Sequence, residues 1–227
     1  MAEIIGKNIA RVDGWDKVTG LGKFTADLAL GRYCHALVLR SNVAHAYIRH
    51  LDVSKARKMP GVKAVVTGEA CPARIGHAIG DQFPIAREKV RFWGEPVAVV
   101  VADSLEAADA ARAAIEVEYE KLPPILHPRH ATQPHAPLIH EELNTYDHHP
   151  QVHPQPGSNI AHHYRLCRGD VQSAFEQAHL VLEGEYWVPW IAHVQLEPHC
   201  AWARWERDRC EIWSSSQAPF FIRETVS

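Results

Sequence analysis

Gly94-Glu-Pro-Val97-Ala-Val-Val-Val-Ala102-Asp-Ser-Leu-Glu106-Ala-Ala-Asp-Ala-Ala-Arg-Ala-Ala114-Ile-Glu-Val-Glu-Tyr-Glu120 carries three secondary-structure signals in succession. Val97 to Ala102 is apolar at every position, so it reads as a strand covered on both faces. Asp103-Ser-Leu-Glu106 has the spacing of a capping box, with Asp103 at the N-cap and Glu106 three residues later. The alanine-rich run to Ala114 is a strong helix former, because alanine loses no side-chain entropy in a helix. Ile115 to Glu120 then alternates apolar with charged residues, as a half-buried strand does, and Leu122-Pro-Pro124 stops it. Strand, helix and strand in this order indicate an α+β domain.

Upstream, Tyr33 to Leu39 and Val62 to Thr67 read as two more strands. Between them Asp52 is placed to cap a short helix, Val53 to Met59, that Pro60-Gly61 terminates. Arg11 to Asp27 mixes glycines with isolated apolar residues and reads as an ordered lead-in loop. The first domain therefore spans residues 1–124.

The 227-residue chain has a net charge of −3 and no Lys/Arg-rich run, so nothing electrostatic points to nucleic acid. Met1 to Lys7 is neither a secretory leader nor a transit peptide, and no apolar run approaches the roughly 20 residues that span a bilayer. The cytoplasm is the expected compartment. Five scattered cysteines without Cys-x-x-Cys argue against a disulfide framework and against an iron–sulfur cluster held by this chain alone.

Downstream, residues 125–158 lose periodicity and are rich in proline and histidine, which reads as a linker draped over a surface. Imidazoles of His148, His149, His153, His162 and His163 suit a transition metal, but a proline-broken loop lacks the fixed geometry a metal needs. A second unit, residues 159–227, opens with a helix after Gly169-Asp170, carrying Val171, Ala174, Phe175 and Ala178 on one face. Leu180 to Val188 alternates as a strand. Cys200 to Glu206 and Cys210 to Ser214 form a hairpin around Arg207-Asp208.

Candidate binding groups concentrate between Trp187 and Gln217. There is no Gly-x-Gly-x-x-Gly, no phosphate-binding lysine loop and no Gly-x-Ser-x-Gly nucleophile turn. His193, Glu197 and His199 bracket a proline among aromatic strand formers, where free solvation is not expected. Spacing alone leaves two readings open for them, structural hydrogen bonding or a binding site.

Over its whole length the sequence resembles the N-terminal part of the molybdenum-binding large subunit of the xanthine dehydrogenase/aldehyde oxidase family of molybdenum hydroxylases. The matching residues run in order: Arg11-Val-Asp13, Lys17-Val-Thr-Gly20, Phe24 and Asp27; Arg40-Ser41, Ala44-His45-Ala46, Pro60-Gly61-Val62 and Val65; and Gly94 to Ala102, Ala107-Ala108 and Val117 to Pro123. Gly169-Asp170, Phe175 and Ala178 continue the series. His193-x-x-x-Glu197-Pro198-His199 and Ser214-Ser-Ser-Gln217-x-Pro219 complete it.

The resemblance implies an a/b hammerhead domain followed by the beginning of a molybdopterin-binding domain. It implies hydroxylation of an aldehyde or N-heterocycle with oxygen from water at a molybdopterin-type molybdenum cofactor. Gln217 falls where the family's glutamine donates to an oxygen ligand of molybdenum, a tuning contact of the kind that surrounds metal sites. His193, Glu197 and His199 fall where the family buttresses the neighbouring strands. The family's glycine-rich pterin loop, substrate arginine and general-base glutamate have no counterpart here, so no catalytic residue carries over. Iron–sulfur and flavin centres are expected on partner subunits, and the rest of the large subunit on a partner chain. Two other readings are a truncated, non-catalytic remnant with at most an assembly role, and a His-rich metal-binding module.

Overall fold

The computed structural model describes residues 5–28 and 30–227; part of the leading Met1 to Lys7 stretch lies outside them. In chain order the elements are α1 (Gly14–Thr19), β1 (His35–Arg40), β2 (Ala46–Asp52), α2 (Ser54–Arg57), β3 (Val62–Thr67), β4 (Lys89–Val90), β5 (Pro96–Ala102) and α3 (Leu105–Ala113). There follow β6 (Glu116–Lys121), α4 (Pro128–Ala131), α5 (Val171–Gln177), β7 (Ala201–Glu206), β8 (Arg209–Ser214) and α6 (Pro219–Val226). They fall into two units. One joins Arg32–Val181 with Phe221–Ser227, the other Met1–Gly31 with Leu182–Phe220. This mixed α+β architecture is the one expected.

In the larger unit β5 is the middle strand of an antiparallel sheet ordered β1-β5-β3. Its alternate residues enter two separate cores, which is why every position is apolar. Ala98 and Val100 pack with Val53, Ala56, Val65, Ala111 and Ile115. Val97 packs on the other side with Ala46, Ala86 and Val90. Val90, Val97 and Val100 are fully buried, each contributing roughly 1.5–3 kcal/mol by removal from water. The strand after α3 does not return to this sheet. β6 pairs instead with β2, in a second sheet ordered β4-β2-β6. Periodicity identifies a strand but carries no information about its partner.

The helix start is shifted by one residue from the expected capping box. Ser104, not Asp103, is the N-cap, accepting from the Ala107 N–H at 3.2 Å, while Asp103 pairs with Lys63 at 2.9 Å. Both residue types can cap; β5 ends at Ala102, and Ser104 is the one left extended with its hydroxyl over the free N–H groups. Likewise β2 runs on through Asp52, whose carboxylate accepts from Ser54 N–H at 2.8 Å beside a helix of only four residues. Gly68 is required by close approach: a Cβ there would lie 2.6 Å from the Ala86 carbonyl oxygen.

The proline-rich segment is tied down more firmly than a linker need be. Leu143 and Tyr146 are buried against Ile79. The Asn159 carboxamide accepts from Ile139 N–H at 2.9 Å and donates to the Pro137 carbonyl at 2.9 Å. Its histidines do not converge: among the described residues no group of three potential metal ligands forms. Asp170 caps α5 as read, accepting from Ser173 N–H at 3.0 Å.

Two further stretches depart from expectation. The lead-in contains α1, closed by Gly20 in the left-handed conformation, and a 3-10 turn at Thr25–Asp27. Leu180 to Val188 forms no strand. Alternation can sort side chains onto two faces, but a strand also needs a neighbour's backbone, and no described strand pairs with this one. Leu182, Tyr186 and Val188 consequently stand in solvent. The hairpin is as read, with Ala201 opposite Ser214 and Trp205 opposite Cys210. Its turn holds Arg207 at φ 55°.

Candidate functional site

The hairpin assembles the site. Because β7 and β8 are antiparallel, the residues entering β7 and those leaving β8 meet at its open end. That end is closed by a reciprocal pair: Ser215 N–H donates to the Cys200 carbonyl at 3.2 Å, and Cys200 N–H to Ser215 Oγ at 3.3 Å. Beyond this pair the two segments diverge around a cleft of about 970 Å³ lined by His193, Glu197 and His199 on one side and Ser215 to Gln217 on the other.

The sequence singled out His193, Glu197, His199 and Gln217, and the fold brings all four to this one cleft. They are not equally engaged. Glu197 is half-buried and accepts from Thr25 N–H at 3.0 Å. Trp202 of β7 donates its indole N–H to the Thr25 carbonyl at 3.0 Å. The Thr25 peptide is therefore held at both its N–H and its C=O, and Glu197 and Trp202 fasten the 3-10 turn to the cleft. His193 and His199 are exposed, against the expectation that they would be shielded; the His199 ring meets the Gln195 carboxamide at 2.8 Å. Spacing suggested shielding because aromatics crowd this stretch, but Trp187 and Trp190 are themselves exposed.

Gln217 is exposed, and its side-chain amide makes no hydrogen bond among the described residues. Ser216 Oγ is used locally, accepting from Ala218 N–H at 2.9 Å in a turn that sets the chain direction after Gln217. Val194, also in the wall, holds φ 48°. For a β-branched residue this left-handed conformation costs on the order of 1–3 kcal/mol, a strain that clusters at functional sites. Thr25 and Trp202 escaped the sequence reading. Thr25 lies 172 residues from its partner, and no local pattern encodes so distant a contact.

Chemically the cleft offers a free carboxamide at Gln217 and imidazoles at His193 and His199. Its one carboxylate, Glu197, is already committed to the backbone. Such a lining suits a ligand rich in oxygen and nitrogen acceptors rather than a bare cation, which would call for several carboxylates or thiolates.

Comparison with known proteins bears on the same segments. The family model described as aldehyde oxidase and xanthine dehydrogenase, a/b hammerhead domain, matches residues 19–123. The model of the molybdopterin cofactor-binding domain matches residues 152–227, the part that contains the cleft. The nicotinate dehydrogenase large molybdopterin subunit of Eubacterium barkeri is 33% identical over 99% of this chain and 50% of its own length. The xanthine dehydrogenase molybdenum-binding subunit of Escherichia coli O157:H7 is 32% identical over 95% of this chain and 28% of its own. Among solved structures, quinoline 2-oxidoreductase from Pseudomonas putida 86 superposes with a TM-score of 0.77 at 28% identity, covering 97% of this chain and 28% of that one. The aldehyde oxidoreductase of Desulfovibrio gigas gives a TM-score of 0.71 at 27% identity over 91% of this chain and 23% of that one. The chain thus spans half or less of the length of these relatives.

Proposed function

The chain belongs to the aldehyde oxidase and xanthine dehydrogenase family, in its molybdenum-binding large subunit, and from this we propose that it supplies the hammerhead domain and one wall of the molybdenum site of a hydroxylase acting on an aldehyde or N-heterocycle. The observation that carries the proposal is the meeting of Gln217 with His193, Glu197 and His199 at one cleft inside the segment that matches the molybdopterin-binding model. When bound, the cofactor supplies the two-electron oxidation that places a water-derived oxygen on the substrate carbon.

The residues of this chain have simpler tasks. Gln217 would offer the cofactor its amide N–H, which no other described residue engages. Glu197 works at one remove: through Thr25 it fixes the loop that carries His193 and His199, and so the wall opposite Gln217. Among the described residues of the cleft we assign none as general acid or base. The remaining pterin contacts, the substrate-positioning groups and the base come from the further length of large subunit that the relatives possess. Iron–sulfur and flavin subunits would carry the electrons away. The isolated chain is accordingly inactive.

Co-production with the remaining large-subunit sequence and an iron–sulfur subunit, followed by metal analysis of the purified complex, tests this. Molybdenum retained with the complex, and reduced when Gln217→Ala is introduced, is the expected result. A complex that forms without molybdenum would sink the proposal.

A further inference from the structure

A second cavity, of about 440 Å³, lies in the larger unit; Tyr47, Phe83 and Tyr146 line it with four cations, Arg91 among them, and three carboxylates, Glu88, Glu141 and Glu142. Arg74 and Arg87 are stacked on aromatic faces. The Arg74 guanidinium carbon lies 4.3 Å from the ring centres of both Phe83 and Tyr146, and that of Arg87 lies 5.5 Å from Phe83. Stacking fixes the guanidinium planes and leaves their N–H edges to find acceptors. Each edge is only half used. Arg74 gives Nη2 to Glu142 at 3.3 Å while its Nη1 is buried without a partner. Arg87 gives Nη2 to Glu69 at 3.2 Å while its Nε is buried without a partner. In both cases the unused nitrogen is the second prong of the fork whose first prong is taken.

We propose that this cavity binds a small phosphate monoester, its oxyanion taken up by the N–H forks of Arg74 and Arg87 and its apolar body lying against the aromatic wall. A buried N–H without a partner is unfavourable, so the two orphaned nitrogens call for an acceptor. The carboxylates now in place are weak occupants. Glu142 and Glu69 are 68% and 75% exposed, their contacts are long, and exposed pairs of this kind contribute little. An oxyanion that engages both prongs of a fork displaces them at little cost and gains the bidentate geometry that guanidinium favours.

The charges are also unequally placed. The Arg74 and Arg87 side chains are only 24% and 29% exposed, and Lys89 is buried, whereas the opposing Glu142 and Glu69 stand mostly in solvent. Lys89 itself is matched by Glu141 at 2.6 Å and adds no free donor. His140, beside Tyr146 at 3.2 Å, reports the resulting field: burial first, then Arg91, Arg74 and Lys89, push its pKa down to about 4. The volume exceeds what one phosphate fills and lies in the range of small-molecule sites, which is why a monoester rather than the free ion fits.

The test is calorimetric titration of the intact chain with phenyl phosphate and with inorganic phosphate, alongside Arg87→Lys and Arg74→Lys. Lysine keeps the charge and lacks the fork. Binding of phenyl phosphate that falls about tenfold or more in either variant is expected, from the loss of one charge-assisted hydrogen bond. Equal affinity for the two ligands would support the site but assign it to the free ion. Should a variant misfold, the Arg87 Nε–H resonance of the unaltered chain serves instead, and phenyl phosphate should shift it. No binding of either ligand, or binding unchanged in both lysine variants with that resonance unmoved, overturns the proposal.

Discussion

At neutral pH the His140 imidazole is uncharged, because burial and three neighbouring cations hold its pKa down to about 4. The unfolded chain takes up a proton there as pH falls through the ordinary value of 6.5; the folded chain does not until about 4. Folding is therefore opposed across that window, and up to about 3 kcal/mol is lost between its two ends. Burial raises the pKa values of Asp81 and Glu95, which works the other way, so the histidine must be isolated by comparison. His140→Gln keeps a partner for the Tyr146 hydroxyl and cannot protonate. Its urea midpoint should fall less than that of the unaltered chain between about pH 7 and about pH 5. Equal slopes would show that the proton has little effect. Nothing in the local sequence Leu138-Ile-His-Glu141 distinguishes this histidine from the other fifteen. Its environment comes from Arg74, Lys89 and Arg91, all about fifty or more positions away.

The elements were legible where pattern and packing agree. β3 begins and ends where its β-branched run does, and β5 is apolar throughout because it feeds two cores. At the start of α3, Asp103 and Ser104 are adjacent and both suited to capping, so composition could not choose between them. The structure does, and the choice is measurable. Ser104→Ala should cost about 1 kcal/mol in thermal or urea unfolding, the usual value of an N-cap. Asp103→Ala removes only an exposed pair with Lys63 and should cost well under that. The reverse order would return the cap to Asp103. Leu180 to Val188 teaches the opposite lesson: its alternation is real, but a strand depends on a partner that the local sequence does not specify.

The chain as a whole exposes 18255 Å², where a self-contained folded protein of 25.5 kDa exposes about 10,000 Å². Large apolar side chains stand uncovered between Leu182 and Cys200: Leu182, Trp190 and Leu196 are each more than four-fifths exposed. A patch of this kind marks a surface that takes a partner, and in the proposed enzyme the remainder of the molybdenum-binding domain covers it. Limited proteolysis gives the check. The isolated chain should be cut between Leu182 and Cys200 while the segment from β1 to β6 survives, and co-production with the remaining large-subunit sequence should protect the sensitive stretch. Equal resistance with and without that sequence would contradict this reading. No helix among the described residues is long and apolar enough to cross a membrane.

By itself the sequence determined the elements that depend on near neighbours, namely the buried strand Val97 to Ala102, the alanine-rich helix after it and the hairpin around Arg207-Asp208. In its ordered motifs it also carried the family and the four residues of the cleft. Those features are encoded within a few residues, as periodicity, turn chemistry or a short string of side chains. Only the tertiary structure decided that β6 joins β2 rather than β5, that Glu197 and Trp202 grip Thr25, and that two half-used guanidinium forks share a cavity. Each of these joins groups distant along the chain, and such contacts are selected by the free energy of the whole packed molecule rather than by any local preference.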